Sequence, residues 1–486
     1  MSAIFSSFTR PGVRVVESTS GTRPTSIASH NSIYIFGSST IGPYNEPTLV
    51  RSLVDHKNQF GGSLSENAIK LLFRNNRSAI AYFIRTGIAD QYTVTVDDAL
   101  AGDYTLTING EDVTYTAIAS DDEEAIANGL TTAINTSDIA TSVSATVTST
   151  VNQIRIRSDK PDMALTITVA AGDATASDTK PNTLQASDYV QAIENSFDYE
   201  EDWPQGFIIA PEAFQYLTSA TDRLAVGAAM EGLAANENFD WKALVDCGPL
   251  HDTVAQVKAD GEQYNSPQGH TDFFAPYVKD LEGNLVPCSS AIAGLGTKRF
   301  SEEGYHQPMA GAKYPIQGVT DVDVRFGNQD QSVLNPLGIN LVRYLRNKGV
   351  VAWAMRTRSS DTFYRFSVTR VIMNVLNGTL RRAYDFELFS SIDGQGVKLS
   401  RLEETANAVC RRMWKSKALY GNTEQEAFEV RCSAENNDAD QLEGGSVLIE
   451  VFAAPAPSIE KILINTFRTK IGDIQESAAS GLVVSE

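Results

Sequence analysis

Five stretches of this chain are apolar on consecutive rather than alternate positions, and each is short. They are Ser32 to Gly37 (SIYIFG), Ala79 to Arg85 (AIAYFIR), Gly206 to Pro211 (GFIIAP), Trp241 to Asp246 (WKALVD) and Val350 to Met355 (VVAWAM). A strand reads this way only when both of its faces are covered. Helical periodicity fills the gaps, at Leu49 to Phe60, Ser65 to Asn75, Asp188 to Ser196 and Thr221 to Asn236. Ser65 supplies half of a capping box for the second of these, with Ile69, Leu72 and Phe73 on one face. Strands alternating with helices predict a largely parallel sheet flanked by helices.

Residues 90–180 break this grammar. They contain no Phe or Trp, and their 15 acidic and 4 basic residues give a net charge of −11, over half of the chain's −20. Asn109-Gly110 between two β-prone runs signals a type I′ hairpin. Asp121 to Glu124 places four acids where a helix would begin, favourable for its dipole. Strands are expected near 140–149, 152–158 and 164–170. The segment reads as a separate, solvent-facing inserted module.

The remainder gives helices at Val371 to Leu380 and Leu402 to Ala418, then a strand pair at Ala427 to Cys432 and Ser446 to Phe452. Both ends carry a short Val-rich strand on a polar leash: Val13, Val15 and Val16 at the start, Leu482, Val483 and Val484 at the finish. Strands this short are not stable alone but can add to a neighbour's sheet edge. The expected layout is a multidomain α/β chain: an N-terminal arm (1–20), an α/β domain (21–88), the acidic β-rich module (89–182), an α/β middle domain (183–368), an α+β C-terminal domain (369–474) and a C-terminal arm (475–486).

The charge balance argues against nucleic acid as the main partner, because that affinity comes mostly from Lys and Arg neutralising phosphates. Anionic membrane surfaces are disfavoured for the same reason. The N-terminus lacks a basic stretch followed by an apolar one, so no secretory signal is expected, and no apolar run reaches the ~20 residues of a spanning helix. Four cysteines lie far apart without a CxxC, as buried thiols would.

Chemistry-bearing patterns are sparse. There is no HExxH, GxSxG, GxxxxGK[ST] or GxGxxG run. Gly294 to Lys298 only faintly suggests a phosphate loop. Asp321-x-Asp323 is better explained by strand alternation than by calcium. The best enzymatic grouping is Asp246 with His251 or His270 and Ser289 or Ser290, since a triad is recognised by geometry and not by order; a strand-ending carboxylate binding turn amides is the plainer explanation. No cofactor or metal is expected.

One run changes the reading. Leu334-Asn335-Pro336-Leu337-Gly338-Ile339-Asn340, then Arg343, then Gly349 through Trp353 to Arg356-Thr357, resembles the most recognisable stretch of contractile-tail sheath proteins. That pattern is LNP-x-GIN followed by G-x-x-x-WG-x-RT; Ala354 stands where Gly is usual. Pro11-Gly12-Val13, Gly42-Pro43, Asn45-Glu46-Pro47, Phe60-Gly61, Ile208 to Pro211, Val286 to Gly294 (with Cys288 a departure), Ala418 to Gly421 and Pro455-Ala456-Pro457 follow in the family's order. The resemblance covers roughly four-fifths of the chain and skips 90–180, where such proteins carry variable inserts.

It implies a structural, non-enzymatic subunit with a subtilisin-like middle domain lacking catalytic residues. Copies would form hexameric rings stacked helically around a tail tube, with baseplate and tail terminator proteins as further partners, in the virion tail and, during assembly, the host cytoplasm. The terminal strands would join neighbours near 446–452. Arg401, Arg411, Arg412 and Lys415, within one sector of the Leu402 to Ala418 helix apart from its Leu402, Ala406, Val409 and Met413 stripe, would face the tube. A surface adhesion module, suggested by the Thr-rich acidic insert, and a hydrolase using Asp246, His251 and Ser289 are the alternatives.

Overall fold

The structure is a computed structural model and describes residues 28–86, 91–158, 165–178, 185–196, 203–236, 241–466 and 468. Val13, Val15, Val16, Leu482, Val483 and Val484 lie outside the described residues.

The chain opens with β1 (Ser32–Ser38), buried on every residue as its unbroken apolar run requires. Next come β2 (Thr48–Val50), α1 (Leu53–Phe60), α2 (Glu66–Asn75) and β3 (Ile80–Thr86). The helix expected from Leu49 is therefore shorter. Thr48–Val50 pairs antiparallel with β3, and Ser52 caps α1 by accepting from Asp55 N–H. Ser65 precedes α2 but makes no cap; its hydroxyl is used elsewhere.

Among the described residues the module comprises seven strands and one long helix: β4 (Gln91–Val96), β5 (Gly102–Ile108), β6 (Glu111–Ala117), α3 (Glu123–Thr136), β7 (Val143–Val147), β8 (Gln153–Ser158), β9 (Ile167–Ala171) and β10 (Ala174–Asp178). Asn109 and Gly110 turn the β5–β6 hairpin with φ of 53° and 91°, the left-handed pair a type I′ turn needs. Asp122 caps α3 by accepting from Ala125 N–H. The first and last strands, β4 and β10, pair with each other, so the module enters and leaves at one place. Val94, Leu106, Ile126, Leu130 and Ile154 fill a core of its own.

The chain then runs through α4 (Ala186–Asn195), β11 (Gly206–Ile209), α5 (Pro211–Tyr216), α6 (Ala220–Ala234), β12 (Lys242–Asp246), α7 (Val254–Gly261), β13 (Thr271–Ala275), β14 (Val278–Asp280), β15 (Leu285–Val286), α8 (Ser289–Glu303), β16 (Val319–Val322), α9 (Asn328–Leu334), β17 (Ile339–Leu345) and β18 (Gly349–Ala352). Gly294 to Lys298 lies inside α8, not in a loop. A Cβ on Gly294 would sit 2.6 Å from Leu72 O, so that glycine lets α8 lie close against α2.

The order of the main sheet is β18-β17-β13-β12-β11-β1-β3-β2, parallel except at β2 and β18. Strands from 21–88 and from 183–368 thus share one sheet. The expected split into two domains gives way to a single wall, because β1 pairs with β3 on one side and with β11, past the module, on the other.

The last part contains α10 (Ser367–Tyr384), α11 (Val397–Lys415), α12 (Glu424–Ala427), β19 (Phe428–Arg431), α13 (Ala439–Glu443) and β20 (Glu450–Ala453). The boundary expected at 369 falls within α10, which serves two cores. Val371 and Val375 pack into the wall, while Val368, Ile372, Leu376 and Leu380 pack against α11 and β19. α11 starts five residues before the expected Leu402, because the Asp393 carboxylate accepts from Val397 and Lys398 N–H. It ends at Lys415, and Lys417 then turns left-handed with φ of 67°.

Candidate functional site

In an open parallel sheet, ligands bind where the strand order reverses, outside the carboxyl ends of the strands. Here that crevice lies between β1 and β11, and the chain fills it with its own carboxylate. Glu212, in the first turn of α5, is fully buried. Ser38 N–H donates to both of its oxygens (3.0 and 3.2 Å), and Ser65 Oγ (2.7 Å) and the Tyr189 hydroxyl (2.8 Å) donate as well. Burial pushes its carboxyl above the usual range, and these donors pull it back. An anion site is thereby occupied from within. The sequence gives no sign of it beyond an acid after a buried strand.

Asp246 ends β12, fully buried, and its Oδ1 accepts from Ser289 N–H at 2.9 Å and Cys288 Sγ at 3.4 Å. This carboxylate sits on the first turn of α8, as the plainer explanation of a strand-ending acid expects. Burial raises its pKa to about 6. The imidazoles are elsewhere. His251 Nδ1 bonds Gly248 O at 2.6 Å, with Asp260 3.7 Å away. His270 bonds Trp241 O, at the opposite end of β12 from Asp246. Among the described residues no hydrogen bond joins Asp246 or Ser289 to a histidine, so the structure does not assemble the triad. Asp321 pairs with Arg325 and Asp323 with Lys279, and no group of three or more His, Cys, Asp or Glu could hold a metal among the described residues.

The recognisable run forms a joint. Asn340 on β17 brackets Arg356, its Nδ2 donating to Arg356 O (2.7 Å) and its Oδ1 accepting from Arg356 N–H (2.6 Å). Gly338 is left-handed at φ 71°, and a Cβ there would meet Thr357 O at 2.1 Å. Only glycine allows that approach. The Arg356 guanidinium reaches Glu460, more than a hundred residues on, and Asn335 O.

A buried network hangs α10 on the amino ends of the strands. Lys242 Nζ donates to Asp272 Oδ1 and Gly269 O, both at 2.7 Å, and Ser367 Oγ donates to Asp272 Oδ2 at 2.5 Å. Asn374 bonds Trp241 O at 3.1 Å, and Gln205 bonds Asn374 O at 2.8 Å. Desolvation lowers the pKa of Lys242 and raises that of Asp272, each toward its neutral form.

α11 buries Leu399, Leu402, Ala406, Cys410 and Met413; Cys410 takes the place expected for Val409, which is half-buried. The four cations expected to face the tube are not equivalent. Arg401 pairs with Glu387 (3.2 Å), and Arg411 pairs with Glu424 (3.0 Å) and Glu404 (3.5 Å). Arg412 and Lys415 are exposed at the helix end and have no carboxylate within reach among the described residues.

β19 and β20 form a two-stranded ribbon with no third strand among the described residues. Beyond it Ile459, Ile462, Leu463 and Ile464 are each at least 77% exposed. No described helix is long and apolar enough to cross a membrane.

No protein-family model matches the chain. A tail sheath protein of Burkholderia phage BcepMu is 24% identical over 95% of this chain and 96% of its own length. A tail sheath protein of Escherichia phage P2 is 24% identical over 46% of this chain, and that match spans only 54% of the relative. Among solved structures, the helical sheath of the anti-feeding prophage in its contracted state superposes with a TM-score of 0.58 at 18% identity, covering 95% of this chain and 99% of that one.

Proposed function

We infer that this chain is a contractile-tail sheath subunit, one that polymerises as a helical sleeve around a tail tube and contracts to drive the tube through a target envelope. The observation that carries this is the span of the likeness: almost the whole chain aligns with a tail sheath protein and superposes on a contracted sheath. Head-to-tail contacts between identical copies generate helices when the rotation does not close. The subunit's work is structural.

The finer assignments follow from this reading. The wall sheet is the subtilisin-like domain, its switch-point crevice closed by Glu212. The terminal strands add to ribbons on neighbouring copies, and the open edges of β19–β20 are the recipients. α11 faces the tube through Arg412 and Lys415, because Arg401 and Arg411 are already engaged within the subunit. The acidic module faces outward, where repulsion between copies discourages lateral aggregation. The baseplate and the tail terminator cap the sleeve, which belongs to a virion tail or a related injection device and assembles in the host cytoplasm.

Negative-stain microscopy of the purified protein tests the reading. Hollow tubes or stacked rings support it; monodisperse globules at every concentration refute it.

A further inference from the structure

The chain leaving β20 is held at two points. The first is a backbone stitch: Tyr420 N–H donates to Ala454 O (2.7 Å) and Ala456 N–H to Ala418 O (2.9 Å). The second is Glu460, which accepts from Arg356 Nε at 2.9 Å and from Nη2 of the same guanidinium, while Nη1 reaches Asn335 O at 3.3 Å. Among the described residues, 457–466 make no other hydrogen bond. The two side chains are 11% and 21% exposed, neither free in water nor sealed from it. One half of the contact is rigid, because Asn340 clamps the Arg356 backbone on both sides. The other half is a leash without regular secondary structure whose Ile459, Ile462, Leu463 and Ile464 face solvent.

We propose that Arg356 and Glu460 form a clasp that fixes where, and in what direction, the C-terminal strand leaves the subunit. The proposal rests on the sheath reading for its recipient, a second copy of this chain. With the clasp closed, Glu460 is the last of the described residues held by a hydrogen bond. With it open, the leash begins after Ala456 and gains four mobile residues. Both the ordering cost of docking and the spread of end positions then grow, so the strand reaches a neighbour at lower effective concentration. Arg suits the task because its planar fork holds a carboxylate through two parallel bonds, which a lysine cannot do. Arg356 and Glu460 are thus positioning residues, acting through the strand they aim.

Lys461, exposed and next to the clasp, offers a direct readout, since trypsin needs a locally mobile segment on both sides of its cut. Full-length unassembled wild type, Glu460→Ala and Arg356→Lys are digested and timed for cleavage after Lys461, then compared for tube growth and thermal unfolding. Glu460→Ala is expected to be cut about tenfold faster and Arg356→Lys to fall between. Tube growth should fall in the same order while the unfolding midpoints stay together. Equal cleavage rates in wild type and Glu460→Ala overturn the clasp. Faster cleavage with unchanged tube growth overturns its positioning role. Wild type that makes no tubes refutes the sheath reading instead, and the cleavage rates still decide whether the clasp exists.

Discussion

Replacing Asp272 with Asn probes the buried network that hangs α10 on the wall. Lys242 and Asp272 are both fully buried, so Asp272→Asn leaves the shape intact and strips an ammonium of its counter-charge. Removing one partner of a buried pair costs about 3–5 kcal/mol. The Ser367 hydroxyl keeps an acceptor in the amide oxygen, so little of the cost comes from that bond. Lys242 retains only Gly269 O, and desolvation already pulls its pKa down, so the ammonium has little left to hold its proton. At ~1.4 kcal/mol per decade, the folding constant should drop by roughly two to three and a half powers of ten. Urea unfolding followed by tryptophan fluorescence reads this, with Trp241 immediately before Lys242. The control is Lys242→Met with Asp272→Leu, which removes both charges and should recover most of the loss. A loss under ~1 kcal/mol for Asp272→Asn would refute the reasoning. So would a double variant no better than the single, because it would show that packing and not charge sets the cost.

Three further outcomes follow. Asp246 has a folded pKa of about 6, above the ~3.9 of an unfolded aspartate, so it stabilises the fold at low pH and the contribution is lost as pH rises from about 4 through 6. Asp246→Asn should flatten that slope and be more stable by about 1–3 kcal/mol at pH 8 in chemical denaturation; identical slopes would contradict it. Reversing Arg412 and Lys415 to Glu should abolish assembly on the tube at low salt while self-assembly persists, whereas Arg401→Ala should leave tube binding unchanged in co-sedimentation. Deleting 1–17 or 480–486 should give folded monomers that do not polymerise, and tubes of normal length from either truncation would sink the arm assignment.

The wall strands were legible because burial on both faces leaves an unbroken apolar run, and local chemistry marked the Asn109-Gly110 turn and the acidic start of α3. What links distant parts of the chain was not. Nothing local to Ser32–Gly37 says that it will lie beside Gly206–Ile209 across an inserted module, so one sheet reads as two domains. Val371 to Leu380 reads as a helix, and that it serves two cores shows only once both are in place. The basic face of α11 was visible in the periodicity. Its division into spent and free cations was not, because Glu387 and Glu424 arrive from outside the helix. Glu212 was hidden for the same reason: its donors come from Ser38, Ser65 and Tyr189, on three other parts of the fold.

Helical reconstruction of the protein assembled with its tube by cryo-electron microscopy tests the central claim most directly. The account predicts a hollow sleeve of identical subunits with α11 lining the lumen, and with Arg412 and Lys415 within ion-pair distance of tube carboxylates. A sleeve with α11 on its outer surface, or a tube that stays bare in the presence of the protein, would contradict it.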